Sequence, residues 1–254
     1  MNDALIGRRS LLGGLALGGG MLLSGCDRLN ASPDFRGLLE GAEQLHFRSQ
    51  RWLAGGNTLA PEYGRADMSP VFRVNGNARP KSPDYLAHAA SNFADWRLLV
   101  DGLVARPLAL SLRDLGAFPQ RAQITRHDCV EGWSAIGKWQ GPQLAAVLRA
   151  AGLSSRANFL VFHCADDFGG IPYYESIDLN DAFHPQTILA LLMNDHRLSV
   201  PHGAPVRLRV ERQLGYKHAK FVMRIEARAR IDDLYRGKGG YWEDRSGYAW
   251  YAGI

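Results

Sequence analysis

The chain has 254 residues, of which 46% are hydrophobic, 10% aromatic and 22% charged. This composition is ordinary for a globular protein with one sizeable core, and it excludes disorder, collagen and coiled coil for the chain as a whole. The formal net charge of +5 is a mild excess. It is compatible with an anionic ligand, a membrane surface or nucleic acid and favours none of them. No stretch approaches the roughly 18 consecutive apolar residues of a membrane span.

Residues 1–26 are typical of a targeting segment. Gly7-Arg8-Arg9-Ser10-Leu11 opens a glycine-rich apolar run that ends at Leu23 and suits the apolar region of a signal peptide. The paired arginines resemble a twin-arginine export signal, a route that carries folded proteins. Leu23-Ser24-Gly25-Cys26 resembles a bacterial lipobox. We therefore predict a periplasmic protein anchored to the membrane by a lipid on Cys26. An uncleaved anchor and ordinary signal cleavage are the alternatives.

The rest of the chain divides into three predicted parts. Residues 27–67 form a tether and an N-terminal arm, with a helix over 34–50. Residues 68–230 form the catalytic domain, and residues 231–254 form an aromatic tail.

Two kinds of periodicity alternate within the predicted domain. Short apolar or alternating runs predict strands at 71–74, 96–100, 123–129, 159–162, 206–210 and 221–226. Capping residues and apolar faces predict helices at 111–116, 142–151 and 184–194. Because the two kinds mix without a regular β-α repeat, the predicted fold class is α+β with substantial sheet.

The densest group of reactive side chains surrounds Cys129, at the exit of a predicted strand. Arg126 and His127 precede it by three and two residues. Positive charge favours the thiolate, which is the form that acts as a nucleophile or binds a soft metal. The alternative from the residues alone is a buried structural cysteine. Arg126 would suit an oxyanion substrate and the nearby Trp133 would suit a sulfoxide, so both are predicted to be catalytic.

A second group of cations lies further along the chain. Arg207, on a predicted strand, offers a planar fork that suits phosphate. The segment after Gly215 contains Lys217, His218 and Lys220 and ends just before another predicted strand. These cations come from separate short elements without interleaved aromatic residues, which argues against nucleic acid and favours a pocket for one anionic cofactor. A solvated polar strand face is the alternative.

In combination these features resemble the molybdopterin-binding domain of the sulfite oxidase superfamily, over roughly residues 68–229. The motifs that carry the resemblance are Cys129 after a strand, Asn194-x-x-x-Leu198-x-x-x-His202-Gly203-x-Pro205-x-Arg207, and Gly215-Tyr216-Lys217-x-x-Lys220. The run Cys129-Val130-Glu131-Gly132-Trp133 is similar to the Cys-Val-Glu-Ala-Trp of the periplasmic methionine sulfoxide reductase catalytic subunit. The Cys-Ala-Gly-Asn-Arg type of motif found in sulfite oxidases is missing from the sequence.

The resemblance implies a fold of mixed β-sheets with flanking helices around a molybdenum–molybdopterin cofactor. It implies that Cys129 is the thiolate ligand of molybdenum and that Arg207 holds the terminal phosphate of the pterin. Cys129 and Cys164 are then expected not to form a disulfide. Six further positions are implied as cofactor contacts: Asn75, Cys164, His202, His218, Ala219 and Lys220.

The function predicted from this resemblance is oxygen-atom transfer on a small S- or N-oxide or a sulfite-like substrate. The chain length leaves no room for a haem domain, and no cysteine set could hold an iron–sulfur cluster. Electrons are therefore expected to pass to or from a membrane haem b protein or a soluble cytochrome. Two alternatives are a cofactor-free lipoprotein that binds an anionic ligand, and a dithiol redox protein that uses Cys129 with Cys164.

Overall fold

A computed structural model of the protein describes residues 31–54 and 58–254. The predicted targeting segment, with Cys26, lies outside these residues. The chain divides into two units after Leu53, and the structure describes residues 31–53 of the first. In the first, α1 (Pro33–Ala54) confirms the predicted helix and extends it to 22 residues. Within the described part of the chain, no helix combines the length and apolar character needed to cross a membrane.

The largest sheet of the second unit has five strands. In spatial order these are β2 (Leu108–Leu110), β1 (Leu98–Gly102), β11 (Val222–Arg228), β5 (Phe159–Phe168) and β6 (Ile171–Asp178). β1 and β11 pair in parallel and the other neighbours are antiparallel. The buried side chains of this sheet form most of the main apolar core.

A second sheet presents the cysteine that dominates the sequence motifs. Its strands are β3 (Gln120–Cys129), β4 (Trp133–Pro142), β8 (Leu192–Met193) and β9 (His196–Arg197). β3 and β4 pair along their whole length, from Gln120 opposite Pro142 to Cys129 opposite Trp133. The connecting turn needs a left-handed residue, which Gly132 supplies at φ +82°. Cys129 is therefore the last residue of its strand, at the tip of a long hairpin.

Short helices cover the sheets: α2 (Pro83–Ala90), α3 (Leu112–Ala117), α4 (Leu144–Ala151), α5 (Leu179–Ala182) and α6 (Tyr241–Ser246). α3 begins at the predicted capping box, in which Ser111 Oγ accepts a hydrogen bond from Asp114 N at 3.1 Å and Asp114 Oδ2 accepts one from Ser111 N at 2.9 Å. α4 buries its apolar face completely and ends at Gly152, in the left-handed conformation. The predicted α+β class is confirmed.

Two of the predicted elements were wrong. The segment 184–194 is not a helix: β7 (Ile188–Ala190) pairs with β10 (Arg207–Arg209), and β8 follows it directly. A short apolar run fits a buried strand as well as a helix, so pairing with a distant strand decides its conformation. The predicted strand at 71–74 is irregular chain.

The aromatic tail packs along β6, the edge strand of the large sheet. Trp250 Nε1 donates to Ser176 Oγ at 2.8 Å, and Tyr174 donates its hydroxyl to Asp244 Oδ2 at 2.5 Å. The contacts cover backbone that would otherwise be open to pairing with another chain. They also bring α6 and the residues after it to the cavity described next.

Candidate cofactor site

A cavity of about 230 Å³ lies where the tip of the β3–β4 hairpin meets loop 75–77, the 3-10 turn Gly215–Lys217 and the tail. Its lining includes the polar side chains of Asn75, Cys129, Glu131, Asp166, His218 and Lys220. The structure thus brings together four of the predicted site residues: Asn75, Cys129, His218 and Lys220.

Cys129 is partly buried in this lining, and burial raises the pKa of its thiol. The two cations that were expected to favour its thiolate do not act in that way. Arg126 belongs to the opposite face of β3 and pairs with Asp128 at 2.9 Å, while burial holds the pKa of His127 well below its ordinary value. A soft metal ion deprotonates a coordinating thiol outright, so this thiol is suited to ligation.

Arg207 carries a buried positive charge that forms no ion pair with a carboxylate in the described part of the chain. Its guanidinium is fully buried; Nη2 donates to Asn75 Oδ1 at 3.1 Å, and Nε has no hydrogen-bond partner. Burial is the main cause, and the charge of Arg209 the second, of a pKa that is lowered to about 9 at Arg207. Arg209 is equally buried but pairs with Glu211 through two hydrogen bonds of 2.9 and 2.6 Å. Because an unpaired buried charge is costly, the Arg207 site is built for an anion from outside the chain.

Lys220 holds the loop that covers Arg207. Its Nζ donates to the backbone carbonyls of Asn75, Asn77 and Pro201 at 2.6, 2.5 and 2.9 Å. The pKa of Lys220 is lowered to about 7, mainly by burial and secondly by the charge of Arg207. Gly203 makes this packing possible, because a Cβ there would lie 3.0 Å from that of Lys220. In this arrangement Lys220 positions loop 75–77 and has no hydrogen left for another acceptor.

Of the other predicted cofactor contacts, only His218 lines the cavity, and Ala219, Cys164 and His202 do not. His218 lines it, with Nε2 bonded to Gln213 O at 3.0 Å and a buried Nδ1 that lacks a partner. Ala219 is buried, and its carbonyl accepts from Leu208 N at 2.8 Å. Cys164 lies on β5 opposite Val222. His202 lies behind loop 75–77, bonded to Phe72 O at 3.2 Å. The thiols of Cys129 and Cys164 are both free.

The two predicted catalytic residues outside this set do not line the cavity. The side chain of Arg126 is 54% exposed and borders a different cleft. Trp133 packs edge-on against Phe72 and donates its Nε1 hydrogen to Glu131 at 3.0 Å. Their catalytic roles stay predictions.

Lys217 was grouped with the anion-binding cations, and the structure corrects this. Its Nζ is completely buried between Glu175 Oε2 at 2.7 Å and Glu243 Oε1 at 2.5 Å. The three side chains join the 3-10 turn to β6 and α6. Lys217 therefore ties the tail to the cavity wall and is not available to a ligand.

Sequence reasoning pointed to Tyr173 as a pocket residue but missed most of the aromatic wall and one acid of the cavity. The wall consists of Phe168, Tyr173, Tyr216, Trp242 and Tyr248. The tail aromatics were visible in the sequence but carried only a packing signal. No motif in the sequence pointed to Asp166, because it lies in a strand whose pattern is typical of the apolar core.

Comparisons with known proteins agree with this geometry. A family described as oxidoreductase molybdopterin binding domain matches residues 86–235. A putative protein-methionine-sulfoxide reductase subunit, YedZ1, of Azospira oryzae is 38% identical over 242 residues, which cover 94% of this chain and 84% of that protein. The protein-methionine-sulfoxide reductase catalytic subunit MsrP of Campylobacter jejuni is 33% identical over 147 residues, which cover 53% of this chain and 50% of that protein.

A solved structure shows the same fold. The sulfane dehydrogenase SoxCD from Paracoccus pantotrophus superposes with a TM-score of 0.51 at 23% identity, covering 60% of this chain and 41% of that chain.

The fold and the site therefore define a molybdopterin enzyme of the sulfite oxidase type. The chain belongs to the oxidoreductase molybdopterin-binding family, and its cofactor is molybdenum bound to molybdopterin. The residues present fit that group: Cys129 offers a soft thiolate ligand in the cavity lining, and Arg207, which is buried outside that lining, offers a phosphate an Nε hydrogen that has no partner. The predicted superfamily, enzyme class and cofactor are confirmed.

Proposed function

We propose that this enzyme reduces a small, neutral S-oxide of the methionine sulfoxide type. The observation that carries the proposal is a cavity that joins the Cys129 thiol to an aromatic wall. Thioether sulfur makes favourable contacts with aromatic rings. The names of the two relatives, both methionine-sulfoxide reductase subunits, support the same substrate class.

The charges at the cavity distinguish this substrate from sulfite. Two carboxyl side chains, Glu131 and Asp166, line the cavity. The three hydrogens of the Lys220 ammonium go to backbone carbonyls, and Arg126 borders another cleft. An anionic substrate would meet the Glu131 carboxylate and would receive no hydrogen bond from Lys220, whereas a neutral sulfoxide meets no such repulsion.

The chain's own residues divide the work of this reaction. Cys129 would hold the metal and Arg207 would anchor the cofactor phosphate, while Lys220 keeps loop 75–77 in place. When bound, the cofactor would supply the two-electron redox chemistry of molybdenum. Overall, the sulfoxide takes up two electrons and two protons and yields a thioether and water, with the electrons coming from a separate redox protein. The aromatic wall orients the substrate sulfur and limits access of water.

The first test measures the cofactor and then the activity. We expect the purified protein to contain stoichiometric molybdenum and pterin. With reduced viologen as electron donor it should reduce methionine sulfoxide, and with ferricyanide as acceptor it should oxidise sulfite poorly. A protein without molybdenum or pterin, made in a host that synthesises the cofactor, would favour a cofactor-free binding lipoprotein instead.

We also propose that the enzyme is exported folded and held at the periplasmic face of the membrane by a lipid on Cys26. The twin-arginine and lipobox patterns support this, and an anchor would keep the enzyme near a membrane haem b protein or a soluble cytochrome. Cys26→Ala should move the protein from the membrane to the soluble fraction and abolish labelling by palmitate. Cys164→Ser, which changes a cysteine of the folded unit, should fractionate and label like wild type. Unchanged fractionation of Cys26→Ala would overturn the lipid anchor.

A further inference from the structure

Asp166 is a buried acid of the cavity with no part in holding the metal or the phosphate. It is 4% exposed and lies in the same lining as Cys129. Its Oδ2 accepts a hydrogen bond from Asn77 Nδ2 at 3.1 Å, whereas its buried Oδ1 has no partner. A buried carboxylate oxygen without a donor is costly, while a protonated carboxyl in the same place can itself donate.

The groups around Asp166 do not offset the effect of burial on its pKa. The facing titratable or charged groups are Lys220, Cys164, Asp167, Tyr85 and Tyr173. Lys220 is the one cation among them, and its hydrogens all go to backbone carbonyls. Burial therefore prevails over the Asn77 hydrogen bond and the Lys220 charge, and raises the pKa of Asp166 to about 6.

Two other titratable groups that line the cavity do not suit proton donation near neutral pH. Burial holds the pKa of His218 well below its ordinary value, so its imidazole is neutral. The hydroxyl of Tyr173 donates to Tyr216 O at 2.8 Å, and burial raises its pKa further. An effective general acid has a pKa close to the working pH.

We propose that Asp166 is the catalytic acid that protonates the oxygen removed from the substrate. The inference rests on the proposed S-oxide reduction. The S–O bond breaks, two electrons arrive from the external donor, and the oxygen leaves as water. Asp166 supplies one of the two protons and solvent supplies the other, after which solvent reprotonates Asp166.

The decisive variant is Asp166→Asn, which keeps the shape and removes the proton. We expect the holoenzyme to retain its molybdenum and pterin content and its KM for methionine sulfoxide. With reduced viologen as donor, kcat should fall about 10²–10⁴-fold. Because the acid acts in its protonated form, wild-type kcat should decline as pH rises through about 6. The variant should show no such decline.

Asp167→Asn is the matched control. Asp167 is the next residue of the same strand, does not line the cavity, and caps the hairpin turn by accepting from Gly170 N at 2.7 Å. It should retain the decline of kcat with rising pH, shifted slightly to lower pH because a negative charge near Asp166 has been removed. A second readout is an infrared pH titration of the holoenzyme. A carboxylic acid band should disappear through the pH range of the kcat decline in wild type and in Asp167→Asn, and should be missing from Asp166→Asn.

Each contrary outcome is distinguishable. Loss of molybdenum or pterin from Asp166→Asn would make Asp166 a cofactor contact and overturn its role as acid. An active wild type whose kcat and pH profile are unchanged by Asp166→Asn would overturn the acid alone. A molybdenum-loaded wild type that is inactive on every sulfoxide would overturn the proposed substrate class and the acid with it.

Discussion

Cys129→Ser should abolish oxygen-atom transfer and leave the fold intact. Loss of groups that merely orient a metal ligand costs about 10- to 100-fold in activity, so loss of the ligand itself should cost at least about a hundredfold. Serine has nearly the same shape but offers a hard oxygen in place of soft sulfur. The hairpin turn does not depend on the thiol, because the backbone closes it: Gly132 N donates to Cys129 O at 3.1 Å.

Activity, molybdenum content and circular dichroism of the variant check this prediction together. Cys164→Ser separates it from dithiol chemistry, since a dithiol mechanism needs both thiols equally. We expect Cys164→Ser to retain molybdenum, because its thiol lies on β5 and is not the metal ligand. Full activity of Cys129→Ser would remove the central assignment of the site. Equal inactivity of both variants, with molybdenum retained in both, would favour the dithiol protein.

The second large effect is a pair of opposite results at two neighbouring arginines. Arg207→Met removes a buried charge that has no carboxylate partner among residues 31–54 and 58–254, so the cofactor-free protein should be as stable as wild type or more stable. Arg209→Met leaves the completely buried Glu211 carboxylate without its arginine partner. This change should lower the free energy of unfolding by about 3–5 kcal/mol. Thermal unfolding of cofactor-free protein, from a host that cannot make molybdopterin, measures both changes.

Although Arg207→Met should not destabilise the cofactor-free protein, it should weaken binding of the cofactor. Loss of one partner of a buried charge pair costs about 2–5 kcal/mol. Arg207→Met should therefore weaken binding of the pterin by roughly thirty- to several-thousand-fold. Pterin fluorescence after denaturation of the purified variant measures the retained cofactor. If Arg207→Met retained stoichiometric pterin, the anion at this site would not be the cofactor phosphate. If it destabilised the cofactor-free protein as much as Arg209→Met does, Arg207 would have a neutralising partner within the chain.

Some parts of the structure follow from local sequence alone. The capping box at Ser111, the apolar face and terminal glycine of α4, and the glycine turn after Cys129 are determined by residues within a few positions of each other. The motifs around Cys129 and Arg207 identified the family for the same reason. Each is a short run of residue types whose chemistry is specific in combination.

Tertiary structure decided the partners of each charge and the conformation of short apolar runs. Arg207 and Arg209 occupy equivalent positions two residues apart on one strand, and only the fold gives Glu211 to one of them. Lys217 and Lys220 look alike in sequence, yet the first is buried between two carboxylates and the second clamps a loop. Segment 184–194 became strands because pairing with Arg207–Arg209 decided a run that periodicity left open.

The sequence by itself thus determined the family and the fold class, and it singled out Cys129 as the proposed metal ligand. These depend on local patterns and on residue chemistry. The three-dimensional fold alone determined which arginine has no ion-pair partner among the described residues and which aromatic side chains form the wall. It also determined that Asp166 is a buried acid in the same cavity lining as Cys129. Desolvation and charge pairing depend on residues that are distant along the chain but close in space. A local sequence pattern does not contain those spatial distances.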